Sequence, residues 1–412
     1  MVARFAVRAS LIGALVFSVS QVQGAGFLED SRAVLNFRNF FFQREFTSDS
    51  YPSDRAREWT QGAILDARSG FTSGLLGFGV DVLGKYAIKL DGGAGRYGAL
   101  LLPRHDNGEP ASDLGRLGLA GKIRFAKTEF KYGEWMPNLP VLSADDFRAL
   151  PQTFTGMQLT SGEIKNLKLQ LGQFRRTSLR NDASLERLGY GKVESDRFNF
   201  LGADYEIAAT RTTLRLWIGE LQDVYRQHYL GLIQSLPLGA NQRLDASFGV
   251  YRGRDAGRAL AGDLDNTTYS LLVSLRSGAQ VFSLGRQVNE GATGWMRVNG
   301  TGGIYMANNT FNTAFDNPNE RSWQLRYDYD FTRLGLPGLS FMTRYIKGED
   351  VHLAQINEGH EWVRESEVAY VFKSGALKDL SLRWRNASVR RDFSNLDYDE
   401  NRIIIHYPLA LL

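Results

Sequence analysis

Beyond about residue 30 the chain alternates apolar and polar side chains with period two, in windows of about eight to ten residues. Leu76, Phe78, Val80 and Val82 interleave with Gly77, Gly79, Asp81 and Leu83. Leu244, Ala246, Phe248 and Val250 interleave with Asp245, Ser247, Gly249 and Tyr251. Trp323, Leu325, Tyr327, Tyr329 and Phe331 interleave with Gln324, Arg326, Asp328 and Asp330; Val368, Tyr370 and Phe372 interleave with Glu367, Ala369 and Lys373. Each window predicts a β-strand with one greasy face and one polar face. No window past the N-terminus holds the ~18 apolar residues of a spanning helix. Tight turns are expected at Gly335-Leu336-Pro337-Gly338 and Ser374-Gly375-Ala376-Leu377, and longer polar connections over 104–115, 136–151, 288–320 and 347–362.

Such alternation fits a soluble sandwich or a membrane barrel, whose apolar face meets lipid and whose polar face lines water. Three features favour the barrel. The polar face carries many charges and glycines. Aromatics such as Phe37, Phe41, Tyr327, Tyr329, Phe331 and Tyr345 gather near strand ends, as in interfacial girdles. The chain also ends on a strand, with Ile403, Ile405, Tyr407, Leu409 and Leu411 on one face and Arg402 and His406 on the other. Such a strand suits closure, where every backbone group needs a partner. About 387 residues beyond the N-terminal segment allow roughly 16–18 strands of 9–11 residues. The expected fold is an all-β, antiparallel transmembrane barrel, large enough to leave an aqueous channel.

Composition sharpens this. The 49 Lys+Arg against 45 Asp+Glu leave a net charge of +4, too balanced for a dedicated nucleic-acid binder. There is no cysteine, which excludes disulfides, thiolate zinc and Cys nucleophiles. Arg4 and Arg8, the apolar stretch 9–19 and the small residues around Gly24-Ala25 form a secretory leader pattern. The expected division is a signal peptide at 1–24 and a barrel at 25–412.

Parity assigns the charges. Arg38 and Arg44 oppose Leu35, Phe37 and Phe41; Lys122 and Arg124 oppose Ile123 and Phe125; Arg383 and Arg385 oppose Leu382 and Trp384. First and last strands must be neighbours in a closed barrel, so Arg38, Arg44, Arg383, Arg385 and Arg402 should share one patch of inner wall, and Arg124 is a further inward candidate for binding substrate. A guanidinium grips a carboxylate through two parallel bonds, and successive shallow sites let an anion move. The other reading is that these arginines only neutralise wall carboxylates such as Asp328 and Asp330.

Several segments, in order along the chain, resemble the OprD family of substrate-selective outer-membrane porins. They are Gly26-Phe27-Leu28-Glu29-Asp30-Ser31, Arg38-Asn39-Phe40-Phe41-Phe42, Trp59-Thr60-Gln61-Gly62, Gly77-Phe78-Gly79-Val80-Asp81, Lys131-Tyr132-Gly133-Glu134, Pro151-Gln152-Thr153-Phe154-Thr155-Gly156, Asp223-Val224-Tyr225-Arg226-Gln227-His228-Tyr229, Gly262-Asp263-Leu264-Asp265-Asn266-Thr267-Thr268 and Tyr407-Pro408-Leu409. The resemblance implies about 18 strands, narrowed by inward-folded loops, with 136–151 as the third loop and 304–320 part of the seventh. It also implies a basic ladder for carboxylates at Arg44, Arg148, Arg383, Arg385 and Arg402, with Tyr190 as an aromatic lining residue. The family's Tyr-Ser-Asp stretch is replaced by Asn312-Thr313-Ala314, with Asp316 displaced, which tilts the expected substrates toward simple or aromatic acids. A peptidase activity proposed for the family would need a His and a Ser where this chain has Gln173 and Gly303.

Other motifs carry less. Gly93-Ala94-Gly95-Arg96-Tyr97-Gly98 fits a dinucleotide string but precedes a polar loop, not a helix. His352 and His360 among acidic residues, and Asp397, Asp399 and Glu400, read as solvated loops. The leading expectation is a diffusion channel in a Gram-negative outer membrane for small carboxylates, aromatic or cyclic acids or amino acids. The alternatives are an outer-membrane barrel enzyme (lipase or protease) and a secreted sugar-binding sandwich. Expected partners are small carboxylates and outer-membrane lipid with lipopolysaccharide. The chain is expected to be a monomer or weak homotrimer, without nucleic acid, cofactor or metal.

Overall fold

A computed structural model describes residues 26–51, 53–93, 95–96 and 98–412; the leader reading for 1–24 lies outside them. The main sheet has 20 strands, of which Glu186–Tyr190 and Val193–Ser195 are short pieces of one loop. The remaining eighteen among the described residues are antiparallel and join neighbour to neighbour. The first strand, Arg32–Phe46, pairs with the last, Tyr398–Ala410, from Val34 opposite Ala410 to Phe46 opposite Tyr398. The ring is therefore closed and has no free edge, as a bilayer demands.

The face rule set by period two holds around the ring. Phe78, Val80, Leu119, Ile123, Leu201, Leu216, Leu284, Leu325, Trp384, Ile403 and Ile405 are exposed, while their sequence neighbours turn inward. These exposed residues form the apolar outer belt. One end carries short connections, such as 126–127, 240–241 and 278–279; the other carries the long ones, 92–112, 136–152, 179–197 and 291–320. In outer-membrane barrels the short turns face the periplasm and the long loops the exterior. The turn at Gly335 and Gly338 forms as expected, after one 3₁₀ turn (Phe331–Leu334), with left-handed φ of 79° and 94°. A β-carbon disfavours that region.

One connection differs from the expectation. Segment 347–362 is no loop: strands Leu339–Leu353 and Ile356–Val371 run on through it and meet at a two-residue tip. Its polarity on both faces made it read as loop. A hairpin rising above the hydrocarbon into water has both faces wet, so alternation disappears while pairing persists.

Leu119 lies at the middle of strand Asp113–Phe125 and is 55% exposed. Leu119→Arg is expected to destabilise the folded barrel in lipid vesicles by about 2–4 kcal/mol, read by urea titration. A cost near zero would mean that this face does not meet lipid.

Candidate functional site

Two long loops fold into the lumen and meet. Segment 136–152 contains the hairpin Asn138–Leu139 with Leu142–Ser143. Segment 291–320 lies against it: Gly302 N–H donates to Ser143 O (3.0 Å), the Gln152 amide to Asn299 O (3.2 Å) and the Tyr305 hydroxyl to Asn138 Oδ1 (3.0 Å). Asn299 also accepts from Gly189 N–H (2.7 Å), which ties in the loop 179–197. Lys85 secures the base, with Nζ donating to Pro151 O, Ser178 Oγ and Leu179 O, each at 3.0 Å.

The interior is divided in two. Along one arc the loops bury Leu139, Val141, Leu142, Trp295, Met296, Val298 and Met306 against inward Phe154, Phe174, Phe198, Phe200, Trp217, Tyr229 and Tyr251. Tens of Å² of apolar surface per side chain, at ~25 cal/mol per Å², hold the loops there. The other arc, strands Arg321–Asp330 through Tyr398–Ala410 and on to Arg32–Phe46, is charged.

On that arc the arginines occupy successive cross-strand rows. Arg326, Arg344, Glu365, Glu400 and Arg44 share one row; Asp328, Glu367, Arg385 and Arg402 the next; then Arg383; then Arg38. Arg44 to Arg38 spans six residues, about 20 Å of strand. Most are paired: Arg38–Asp146 (2.7 Å), Arg44–Glu400 (2.7 Å), Arg326–Asp328 (2.7 Å), Arg383–Glu367 (3.4 Å), Arg391–Glu361 (2.7 Å), and the contacts Arg385–Glu367 and Arg344–Glu365. The neutralising reading thus fits Asp328, which takes Arg326. Asp330 instead caps the 3₁₀ turn by accepting from Thr332 N–H.

Pairing does not balance this arc. Arg38, Arg44, Arg148, Arg326, Arg344, Arg383, Arg385 and Arg402 face Asp146, Asp328, Asp330, Glu365, Glu367 and Glu400, which leaves two guanidinium charges in excess. Arg148, on the third loop, forms no ion pair among the described residues. It lies over the Phe42 ring at 5.0 Å, and its Nε is buried without a hydrogen-bond partner. Burial, then Arg402 and Arg180, push its pKa well below the arginine value, against Glu400 and with a further push from Arg44. Glu58, which also feels Arg148, is spent on the N–H groups of Leu100, Leu101 and Leu102.

Of the eight residues singled out in the sequence, Arg38, Arg44, Arg148, Arg383, Arg385 and Arg402 come together, and Arg124 and Tyr190 do not. Arg124 sits at the short-turn end of strand Asp113–Phe125, 4.2 Å from the Phe71 ring. Parity gave its face correctly, but parity carries no information on height or azimuth. Tyr190 packs edge-on to Tyr225 at 5.7 Å, beside the apolar filling. Arg402 is in the cluster but is 0% exposed, so it is no accessible rung. Its Nε donates to Glu400 Oε1 (2.5 Å), Nη1 to Phe147 O (3.3 Å), and Nη2 to Phe311 O (2.8 Å) and Asn312 Oδ1 (3.0 Å). It clamps the third and seventh loops to the wall.

Two aromatic residues of the site were missed. Phe311 lies 4.7 Å from Arg385, 4.9 Å from Arg402 and 5.6 Å from Arg344, and Phe42 lies beneath Arg44, Arg148 and Arg402. Such faces attract guanidinium groups and hold them in place. Phe42 shares parity with Arg38 and Arg44, a signal that could have found it; Phe311 is in a loop and has none. The displaced Asp316 contacts Arg297, so the acidic side of the narrow point is occupied by the seventh loop's own arginine.

A closed transmembrane barrel whose lumen is narrowed by its own loops is a channel protein. The chain matches the description "outer membrane porin, OprD family" over residues 25–411 and belongs to that family. It is thus an outer-membrane porin of the kind found in Gram-negative bacteria. It is 48% identical over 396 residues to the porin-like protein GalP of Pseudomonas putida, covering 95% of each chain. The crystal structure of Pseudomonas aeruginosa OccK2 (OpdF) with glucuronate superposes with a TM-score of 0.87 at 52% identity, covering 94% of this chain and 100% of that one. That of Pseudomonas aeruginosa OpdK with vanillate gives 0.88 at 42%, covering 93% and 100%.

Proposed function

We propose that the protein is a substrate-selective diffusion channel for small carboxylates, which pass along the arginine-bearing arc. The observation that carries this is the guanidinium excess centred on Arg148. A guanidinium without a carboxylate partner in a narrow lumen attracts an anion, and Arg148 forms no ion pair among the described residues. Arg44, Arg383 and Arg385, each sharing one carboxylate with a second arginine, offer weaker sites on either side, and weak multiple sites favour transit over capture. The two relatives solved with glucuronate and vanillate hold ligands of this chemistry. Asn312-Thr313-Ala314 and the engaged Asp316 leave little acidic wall for an amine, so simple and aromatic acids are favoured over basic amino acids. We read the chain as a channel and not a hydrolase.

The test is uptake into liposomes by the purified protein, with reversal potentials in planar bilayers. Aromatic acids and hexuronates are expected to enter several-fold faster than neutral sugars of equal size, with anion-selective potentials. Equal rates for acids, sugars and lysine would reject the reading.

A further inference from the structure

The outer wall has a feature the channel does not use. The outward residues Arg286, Trp323, Lys347, Trp362 and Arg390 lie directly opposite one another on five successive strands, forming a single row of alternating cations and indoles. Strands lie about 4.8 Å apart, so the cations recur at about 9.6 Å. Arg364 stands one step below, opposite Tyr345 and Ser388. Trp323 meets Tyr345 at a tilt (5.6 Å), Tyr345 stacks on Trp362 (5.9 Å), and Arg390 lies 5.7 Å from the Trp362 ring. Arg286 and Arg364 are exposed and form no ion pair among the described residues; Arg364 holds only Asn386 Oδ1 (2.9 Å) and Ser388 Oγ (3.3 Å). Lys347 and Arg390 have carboxylate neighbours, Glu349 (3.5 Å) and Asp399 (3.0 Å).

Height places this row. It runs from six residues above the short-turn end of strand Gln280–Glu290 to nine above that of Ser381–Arg391. At ~2.5 Å of height per residue for a tilted strand, that is roughly 15–23 Å up an apolar belt about 25 Å tall. The row therefore lies in the outer-leaflet half, where long basic side chains reach toward the headgroups and aromatic rings sit at the interface. Beneath it, a groove of about 570 Å³ is lined by Val273, Leu275, Phe282, Leu284, Leu325 and Tyr345, with Arg364 at its edge.

We propose that this surface binds a phosphorylated, polyacylated lipid of the outer leaflet, with phosphates on Arg286, Lys347 and Arg364 and an acyl chain in the groove. Charge complementarity identifies the occupant. Unpaired guanidinium groups at a lipid-facing height cost free energy unless an anion reaches them, and among membrane components at that level the anion is a phosphate. Trp323 separates Arg286 from Lys347, and Arg364 lies diagonally below Lys347, so one phosphate meets Arg286 and the other meets Lys347 with Arg364.

The test uses vesicles of zwitterionic lipid doped with bis-phosphorylated lipid A. Wild-type protein and the Arg286→Ala/Lys347→Ala/Arg364→Ala variant are reconstituted and re-extracted in mild detergent, and bound lipid A per chain is counted by native mass spectrometry. Heat-modifiable gel mobility confirms that each is folded. Wild type is expected to retain lipid A and the triple variant about tenfold less. Wild type should also retain dephosphorylated lipid A about tenfold less, and Arg364→Lys should bind nearly as wild type does. Equal retention by wild type and the triple variant, or of the two lipid forms, overturns the proposal. So would oligomers that dissociate in the triple variant with bound lipid unchanged, since the row would then hold a second copy of the chain.

Discussion

Arg148→Ala is expected to lower uptake of a small aromatic acid by about tenfold while uptake of a neutral sugar of equal size changes little. A hydrogen bond to a charged group contributes about 1.5–3 kcal/mol, and ~1.4 kcal/mol is a factor of ten in occupancy. The residue lies in the loop 136–152, outside the strands, and makes no ion pair among the described residues, so its removal orphans no carboxylate. Its guanidinium gives the fold one bond, to Phe147 O at 3.4 Å. The barrel should therefore fold at wild-type yield. Arg148→Lys keeps the charge but loses the planar fork and should fall between the two. Arg148→Glu should reverse the preference, admitting amines over acids. Liposome uptake with matched acid, sugar and amine probes checks all three. If acid and sugar uptake fall together in Arg148→Ala, the residue shapes the opening and does not attract the anion.

The faces of the strands were legible because a bilayer imposes a rule on every residue between the girdles. A polar side chain facing out is costly, and a slip of one residue reverses the whole strand. Ile123, Ile403 and Trp384 could thus be placed outside, and Arg38, Arg44 and Arg385 inside, from parity alone. Closure was legible for the same reason, since a terminal strand such as Tyr398–Ala410 needs a partner on each side. Parity stops where the hydrocarbon stops, so the wet hairpin about 353–356 read as a loop. It also says nothing of what fills the lumen. Val141, Trp295 and Met296 look in sequence like stray apolar residues of polar loops, and only the fold shows them packed on Phe174 and Tyr251. Arg402 shows the same limit: one strand position is inward by parity whether it meets water or, as here, the backbone of two loops.

That difference gives Arg402→Ala the largest expected effect on the channel itself. Four bonds vanish at once, three of them to the loops: Phe147 O, Phe311 O and Asn312 Oδ1. Glu400, 1% exposed, keeps Arg44 as its ion-pair partner. Breaking a buried pair costs about 3–5 kcal/mol when the remaining charge is stranded; here Arg44 holds the Glu400 charge, so the cost falls below that range and comes mainly from the lost loop bonds. The seventh loop should detach near Phe311, taking its ring from beside Arg344 and Arg385, and the lumen should widen on the charged arc. Single-channel recordings are expected to show conductance raised several-fold, with frequent switching and weaker discrimination between acids and neutral solutes. The two contributions can be separated. Glu400→Gln alone removes the carboxylate while Arg402 keeps its three bonds to the loops, so folding stability should fall while conductance stays near wild type. If Glu400→Gln enlarged the conductance as Arg402→Ala does, the charge and not the clamp would set the opening. An Arg402→Ala channel with wild-type conductance would show that the apolar contacts of Val141, Trp295 and Met296 on the opposite arc hold both loops unaided.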